Sequence, residues 1–254
     1  MFFKTVRVKR FLIPVMILVL AGILVYAAES AVGDIGAAME TNTLPIYGTD
    51  EENMRISLTI NCAWGAEDIP EILSTLEEYQ VHATFFVLGI WAEKYPEAVK
   101  LIYEKGHEIG NHSYSHKLPS KSTPAQMAAE IDRCNEAVSD VLGIKPAFYR
   151  APSGDYNDKV LELAHDRGMI SVQWSVDSLD WMSDKSAQDI INRVTGKTQP
   201  GSILLFHNDT KHTAEVLPEI IFHLQQEGYT FVPVGELLIK DNWYIDSNGI
   251  QKKS

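Results

Sequence analysis

Two histidines four residues apart, His112 and His116, stand in a short polar stretch of the chain, residues 110–116. Neutral imidazoles are common ligands of Zn2+ and other first-row divalent metals, so the pair predicts part of a metal site. The alternative is a pair of loop histidines that make only structural hydrogen bonds. Two histidines do not decide between these interpretations, so the other polar residues of the chain must be considered with them.

A permanent cation and a stiff turn occur together at residues 150–154. Arg150 precedes Pro152, Ser153 and Gly154. Proline and glycine restrain the backbone, so N–H groups of this turn could point at an oxyanion that develops during a reaction. The alternative is an ordinary loop that begins with a surface arginine.

Two acids, an aromatic ring and a further histidine complete the candidate residues. Asp177 and Asp180 precede Trp181, and His207 ends a fully apolar run. A carboxylate beside His207 could orient the imidazole and stabilise its charged form, which suits a general acid. Trp181 could form a pocket wall and stack on a sugar. The alternatives are a solvated acidic loop and a histidine whose hydrogen bonds are satisfied within the core.

Short apolar runs alternate with amphipathic ones from Arg55 onward. The runs predicted as strands are residues 56–60, 83–88, 108–110, 147–149, 170–174 and 202–206. The segments predicted as helices are residues 69–79, 96–105, 124–142, 158–167, 187–195 and 214–226. Strands that alternate with helices indicate βαβ units and a mostly parallel sheet or barrel. Functional residues in such folds follow the carboxyl ends of the strands, and the candidate residues all do so.

The composition, 45% hydrophobic and 22% charged, is typical of a folded domain. A formal net charge of -12 argues against a nucleic-acid partner, because nucleic-acid binding depends on clustered Lys and Arg. A neutral ligand fits the chain better. No oligomeric state is indicated.

The first 28 residues predict membrane targeting. A basic cytoplasmic stub precedes an uncharged run that is long enough for a transmembrane signal anchor. A cleaved secretory signal is the alternative, and either would place the domain on the extracytoplasmic side of the cell membrane. The predicted limits are the stub over 1–10, the anchor over 11–28, a linker over 29–53, a folded domain over 54–240 and a C-terminal tail over 241–254.

Residues 55–237 resemble a polysaccharide deacetylase domain of the NodB-homology type, carbohydrate esterase family 4. The second to fifth motifs of that family are matched by residues 112–116, 150–154, 177–181 and 205–207. The resemblance implies an α/β fold, a distorted (β/α)7 barrel, and metal-dependent removal of N-acetyl groups from amino-sugar polysaccharide such as peptidoglycan or spore cell wall. The membrane segment and the version of the first motif at residues 63–65 are most similar to the sporulation-associated branch.

The resemblance also implies a role for each candidate residue. His112 and His116 would hold the divalent metal, for which Zn2+ is expected. His207 would be the general acid that protonates the leaving amine, supported by Asp180, and Arg150 would steady the general base. The N-acetylated glycan would lie against Trp181 and the turn formed by Pro152, Ser153 and Gly154.

The chain departs from the family at Asn61 and Cys62, where the first motif has two successive aspartates. The first aspartate is the general base, and an amide cannot accept a proton near neutral pH. Asn61 could still hold the water or the substrate by hydrogen bonds. The thiolate of Cys62 could replace the second aspartate in a His2Cys zinc site, or Cys62 could be a small buried hydrophobic residue. Glu67 could replace the missing base, whereas Asp68 is predicted to cap the helix that follows.

Three functions follow from these observations. The first is a membrane-anchored, metal-dependent polysaccharide N-deacetylase, a hydrolase of non-peptide carbon–nitrogen bonds in linear amides, impaired at its base position. The second is a catalytically inactive protein that binds glycan in cell-wall or spore-envelope assembly. The third is a hydrolase of another non-peptide carbon–nitrogen bond on the same fold.

Overall fold

A curled sheet of parallel strands organises residues 44–254, the part of the chain that this computed structural model describes. The strands are β1 (Gly48–Thr49), β2 (Arg55–Cys62), β3 (Thr84–Val87), β4 (Glu108–Asn111), β5 (Phe148–Tyr149), β6 (Ile170–Ser171), β7 (Val176–Asp177), β8 (Ile203–His207), β9 (Thr230–Phe231), β10 (Trp243–Ile245) and β11 (Ile250–Lys253). The main sheet has the order β6-β5-β4-β3-β2-β8-β7, and β9 pairs with the start of β2. Every pairing in it is parallel.

The central strand β2 is buried on both faces, and its two faces differ in chemistry. Successive side chains of a strand point to opposite faces. Ile60 and Cys62 share the apolar face with other residues of the main hydrophobic cluster, whereas Thr59 and Asn61 are buried on the polar face. The alternation therefore separates Asn61 from Cys62, although the two are adjacent in the chain.

Eight α-helices within residues 44–254 connect and cover the strands, and two short 3-10 helices lie at Pro119–Lys121 and Pro152–Gly154. The α-helices are α1 (Ile69–Glu78), α2 (Gly89–Lys94), α3 (Pro96–Glu104), α4 (Pro124–Leu142), α5 (Asp158–His165), α6 (Ala187–Lys197), α7 (Thr213–Gln226) and α8 (Val234–Leu237). Helix α4 has the predicted bounds because each of its ends carries a recognisable capping motif. Thr123 and Gln126 form a capping box at its start, and Gly143 ends it with a left-handed φ of 71°.

The predicted α/β class with a mostly parallel sheet is confirmed, and the sheet curls into a half-barrel. Within residues 44–254 its edge strands β6 and β7 do not pair with each other. Residues 46–48 pair beside one edge and beside the start of β8: Ile46 pairs with Val172, which follows β6, and Gly48 pairs with Ser202, which precedes β8.

The folded unit extends beyond the predicted limits of 54 and 240. Strands β1, β11 and β10 form a second, three-stranded sheet from residues expected to be linker and tail. Gly201 permits this packing, because a Cβ there would lie 1.9 Å from the Thr49 carbonyl oxygen. Such short strands depend on contacts with distant residues, and their own sequence carries little pattern.

The predicted stub over 1–10, the anchor over 11–28 and the linker up to residue 43 lie outside the described residues. Among residues 44–254, no helix is both long enough and apolar enough to span a bilayer.

Candidate active site

The candidate residues meet at the carboxyl edge of the main sheet. Asn61 in β2 lies in register with His207 in β8, and Asn111 at the end of β4 lies in register with Tyr149, next to Arg150. Because neighbouring parallel strands end at the same edge, the loops that follow them converge there. The structure thus brings together Asn61, His112, His116, Arg150, Asp180 and His207.

His207 and Asp180 form an oriented acid pair. Asp180 Oδ1 lies 2.9 Å from His207 Nδ1, and Asp180 Oδ2 accepts the backbone N–H of His207 at 2.7 Å. A carboxylate only accepts hydrogen bonds, so Nδ1 carries the hydrogen and Nε2 is left to hold or deliver a proton. Asp180 is buried, and the pair has the geometry expected of a general acid with its supporting carboxylate.

The two histidines of residues 112–116 are held in the neutral form. His112 Nδ1 lies 2.8 Å from the Arg150 carbonyl oxygen, which only accepts, so Nε2 keeps its lone pair. Burial lowers the pKa of His112 well below its usual range and, to a smaller extent, that of His116. The ring centroids are 5.2 Å apart. Neutral imidazoles this close could both bind one divalent ion.

Arg150 is fully buried without a carboxylate partner among residues 44–254. Its Nη1 donates to Thr59 Oγ1 at 2.9 Å and to Asn61 Oδ1 at 3.0 Å, and its Nη2 donates to the Gln173 carbonyl oxygen. The guanidinium also lies 3.9 Å from the Phe86 ring centroid. Burial lowers the pKa of Arg150 to about 9, so the group stays protonated at neutral pH.

Residues 152–154, which form the turn after Arg150, offer one backbone N–H without a hydrogen-bond partner. Gly154 N–H donates to the Ala151 carbonyl oxygen, and Asp155 N–H donates to the Pro152 carbonyl oxygen. Ser153 N–H has no partner within residues 44–254, and Ser153 has a left-handed φ of 56°. The predicted oxyanion function of residues 152–154 therefore narrows to the Ser153 amide.

Backbone strain is concentrated around this edge. Eight non-glycine residues of the described range have a φ in the left-handed region, and such conformations cluster at functional sites. Five of them lie in loops that follow strand carboxyl ends, namely Ser113, His116, Ser153, Leu179 and Asp209. The loops are therefore held in costly conformations by the surrounding structure.

Two exposed tryptophans stand at the same edge. Trp181 follows Asp180 and is 53% exposed. Trp64 is 51% exposed, and its ring centroid lies 5.8 Å from that of His207. The sequence predicted Trp181 as a glycan contact but gave no role to Trp64, which was named only as part of the first motif. Both rings offer a flat apolar face to a ligand.

The loop after β8 is held by Asp68, for which the sequence predicted a different role. Asp68 was predicted to cap helix α1, but its side chain makes no cap hydrogen bond and instead accepts Asp209 N–H at 2.7 Å. Desolvation by burial raises the pKa of Asp68.

Glu67, the possible substitute base, is exposed, and its carboxylate accepts the adjacent Ala66 N–H at 2.9 Å.

Three supporting residues were missed. Thr213 donates to Asp180 Oδ2 at 2.6 Å, Asn111 Oδ1 accepts Ser113 N–H at 2.7 Å, and Glu130 accepts Ser115 N–H at 2.7 Å. A buried acid on the inner side of a long helix, as Glu130 is in α4, is the one signal that could have been found in the sequence.

Comparison with known proteins identifies the family. A family profile described as polysaccharide deacetylase matches residues 48–172. Peptidoglycan-N-acetylmuramic acid deacetylase PdaA of Bacillus subtilis is 31% identical over 204 residues, which is 79% of this chain and 78% of PdaA. The chain belongs to the polysaccharide deacetylase family. This confirms the resemblance inferred from the motifs.

Two further relatives of this deacetylase-family chain are more similar in sequence. The uncharacterized protein YlxY of Bacillus subtilis is 36% identical over 195 residues, 76% of this chain and 60% of YlxY. A peptidoglycan-N-acetylglucosamine deacetylase of Bacillus cereus is 37% identical over 181 residues, 70% of this chain and 66% of the relative. The chain thus matches less than two thirds of the length of either protein.

The solved structures similar to this chain include a family member described as a pseudoenzyme. The wild-type CE4-family pseudoenzyme BA3943 of Bacillus anthracis has a TM-score of 0.73 at 33% identity, covering 76% of this chain and 68% of that one. A mutant of BA3943, equally similar, is described as having restored enzymatic activity. Similarity to this family is therefore compatible with either an active or an inactive site.

The metal position of the polysaccharide deacetylase family is only partly present here. Cys62 is fully buried in the main hydrophobic cluster, and desolvation raises the pKa of its thiol well above the usual range. Only the thiolate is a metal ligand. Across residues 44–254 no group of three or more His, Cys, Asp or Glu side chains is arranged to hold a metal ion. The structure does not bring Cys62 to the histidine pair, and this placement is that of a small buried hydrophobic residue.

Proposed function

We propose that this chain binds N-acetylated amino-sugar polysaccharide of the cell wall and removes its N-acetyl groups slowly. The observation that carries the proposal is the intact acid pair, in which Asp180 fixes the tautomer of His207 beside two neutral histidines. The family membership and the relatives named as peptidoglycan deacetylases support the choice of substrate.

The site keeps the groups that protonate the leaving amine and stabilise the acetyl oxygen, but it lacks the general base. His207 Nε2 gives a proton to the leaving amine while Asp180 holds Nδ1–H, and Ser153 N–H stabilises the oxygen of the acetyl group. Asn61 cannot take the proton of the attacking water, and losing a general base costs about 10²–10⁴ in rate. Slow hydrolysis is the expected consequence.

The metal of the family fits this site incompletely. His112 and His116 have the neutral form that Zn2+ prefers, but the third position is occupied by Cys62, which lies in the core. We infer that a divalent ion is bound weakly, and that it would supply polarisation of the acetyl carbonyl when bound.

Glycan binding without hydrolysis is the second candidate function. It is favoured by the simultaneous loss of the base at Asn61 and of the third ligand at Cys62, together with the similarity to a CE4-family pseudoenzyme. The same carboxyl edge beside Trp64, Trp181 and the strained loops, called the groove below, would serve this function.

Acetate release from N-acetylated peptidoglycan separates the two. The full chain is assayed with Zn2+ as wild type, N61D and H207Q, in which H207Q is the control without the proton donor. Slow release by the wild type, abolished in H207Q and accelerated in N61D, is expected. If neither the wild type nor N61D releases acetate while the glycan still binds, hydrolysis is excluded and the binding function stands.

We further propose an extracytoplasmic location in which residues 11–28 anchor the domain to the cell membrane. The cell-wall substrate of the named relatives supports this, because that polymer lies outside the membrane. Protease added to intact protoplasts should remove the domain if the proposal is correct, whereas a cytoplasmic domain would be protected. Membership of the sporulation-associated branch stays a prediction.

A further inference from the structure

The orientation of the Asn61 amide is fixed by a group that can only donate. Asn61 Oδ1 lies 3.0 Å from Arg150 Nη1. A guanidinium has no acceptor, so the amide oxygen must face Arg150 and the amide nitrogen must turn away from it. In a carboxylate at this position both atoms would be acceptors. The asparagine therefore places a donor where the family has a base.

The Nδ2 group of Asn61 has no partner in residues 44–254. The Asn61 residue is only 3% exposed. Its Nδ2 atom, however, does not belong to the polar side-chain atoms that are both completely buried and without a hydrogen-bond partner. It therefore keeps an opening to solvent at the carboxyl edge, where Asn61 is in register with His207. An almost buried donor without a partner at this edge is available to a ligand.

The buried cation behind this amide strengthens the donor. Arg150 has hydrogen bonds to Thr59, Asn61 and backbone carbonyl oxygens, none of which carries a formal charge. Hydrogen bonds in a chain polarise one another in a low dielectric, so a cation bound to Oδ1 makes the Nδ2 hydrogens more positive. The uncompensated charge also disfavours a second cation nearby.

We propose that Asn61 Nδ2 binds the carbonyl oxygen of the N-acetyl group, so that this site selects glycan that still carries its acetyl groups. The deacetylated sugar has a protonated amine in place of the acceptor oxygen, and Arg150 repels it. This inference rests on the proposed function, because it names the part of the cell-wall glycan that the groove recognises. Asn61 is thus a specificity-determining residue whose change to aspartate favours hydrolysis and weakens binding.

Calorimetric titration of the full chain in a metal chelator tests this without turnover. The ligands are tetra-N-acetylchitotetraose and its fully deacetylated counterpart, and the proteins are the wild type, N61D and N192D. Asn192 is exposed on α6, so N192D adds the same charge away from the groove. The wild type and N192D should prefer the acetylated ligand by about tenfold or more, and N61D should lose about tenfold in affinity for it.

The outcomes distinguish this inference from the proposed function. If the wild type binds neither oligosaccharide, both fail. If the wild type binds the acetylated ligand and N61D binds it equally well or more tightly, the inference alone is overturned. A second measurement does not depend on the variant: the side-chain amide signal of Asn61, in protein labelled with 15N-asparagine, should shift when the acetylated ligand is added, and an unchanged signal contradicts the proposal.

Discussion

Thr213 donates its hydroxyl hydrogen to Asp180 Oδ2 at 2.6 Å, where helix α7 begins. Because the carboxylate can only accept, the Thr213 hydrogen is committed to it, and Thr210 must be the donor in its 2.6 Å contact with Thr213 Oγ1. The direction of every hydrogen bond from Thr210 to His207 is thereby set. Helix α7 thus helps to hold the acid pair.

The first prediction is that T213V lowers the free energy of unfolding by about 1.5–3 kcal/mol, the usual contribution of a hydrogen bond to a charged group. Valine has the shape of threonine, so little packing is lost. Urea denaturation measures the effect, and T213S, which keeps the hydroxyl, should recover most of it. Equal stability of T213V and the wild type would show that Asp180 does not need this donor.

The second prediction concerns stability rather than ligand binding at Asn61. N61D gives the buried Arg150 a counter-ion, so at pH 7 the free energy of unfolding should rise by about 1–3 kcal/mol. The guanidinium lowers the folded-state pKa of the new carboxylate, so the gain is present above its unfolded pKa and is lost as the pH falls through the folded value.

Denaturation of the wild type, N61D and N192D at pH 7 and again in acid measures this gain. The N192D variant controls for the added charge, because Asn192 is exposed on helix α6. A less stable N61D at pH 7 would mean that Arg150 is compensated in another way.

The alternation within β2 could have decided the position of Cys62 from sequence. Residues 56, 58, 60 and 62 are all apolar, and the intervening positions 57, 59 and 61 are polar, so a strand must place Cys62 with Ile60 and Asn61 with Thr59. The motif resemblance suggested Cys62 as a metal ligand, whereas this period of two predicts a buried apolar position for it. Local pattern was sufficient for six strands of the main sheet, β2 to β6 and β8, for most helices and for the residues at the carboxyl edge.

Features that depend on distant contacts could not be predicted. Ile46 pairs with Val172, and Thr213 reaches Asp180 across 33 residues, with no local signal for either contact. Strand β7 has only two residues and is defined by its pairing with β8. Such details follow from how elements pack, and a hydrophobic pattern does not record them.

The third prediction is that Cys62 does not contribute to metal binding. C62V replaces a fully buried thiol by an apolar side chain of similar size, so it should cost less than about 1.5 kcal/mol. Zinc affinity, measured by competition with a chromophoric chelator, should equal that of the wild type, whereas H112N should weaken it. Loss of zinc affinity in C62V would restore Cys62 as a ligand.

The fourth prediction is a loss of stability in acid caused by His107. This side chain accepts Ala83 N–H through Nδ1, and burial lowers its pKa from 6.5 to about 4, with His82 and Lys105 adding to the effect. The unfolded chain therefore takes up a proton that the folded chain resists. Stability from this group is present above pH 6.5 and is lost as the pH falls towards 4, in total about 3 kcal/mol.

Denaturation from pH 7.5 to 4.5 measures this loss. H107N keeps an acceptor for Ala83 N–H without a titrating ring, so the stability difference between the wild type and H107N should change by most of that amount over the range. The exposed His223 is the control, and H223N should follow the wild type. Parallel curves for the wild type and H107N would assign the acid sensitivity to other groups.

The last prediction is that Trp64 and Trp181 form the walls of the glycan groove. Both are more than half exposed, and Trp64 faces the ring of His207, so a sugar held near the acid pair would contact their faces. W64A and W181A should each lower the affinity for tetra-N-acetylchitotetraose several-fold while leaving the thermal unfolding temperature nearly unchanged, since exposed side chains contribute little to folding. Phe222, 49% exposed on α7, supplies the matched control, and F222A should bind as the wild type does. Binding that survives both tryptophan substitutions would place the glycan elsewhere on the chain, because the Trp64 ring lies 5.8 Å from that of His207 and a sugar at the acid pair would contact it.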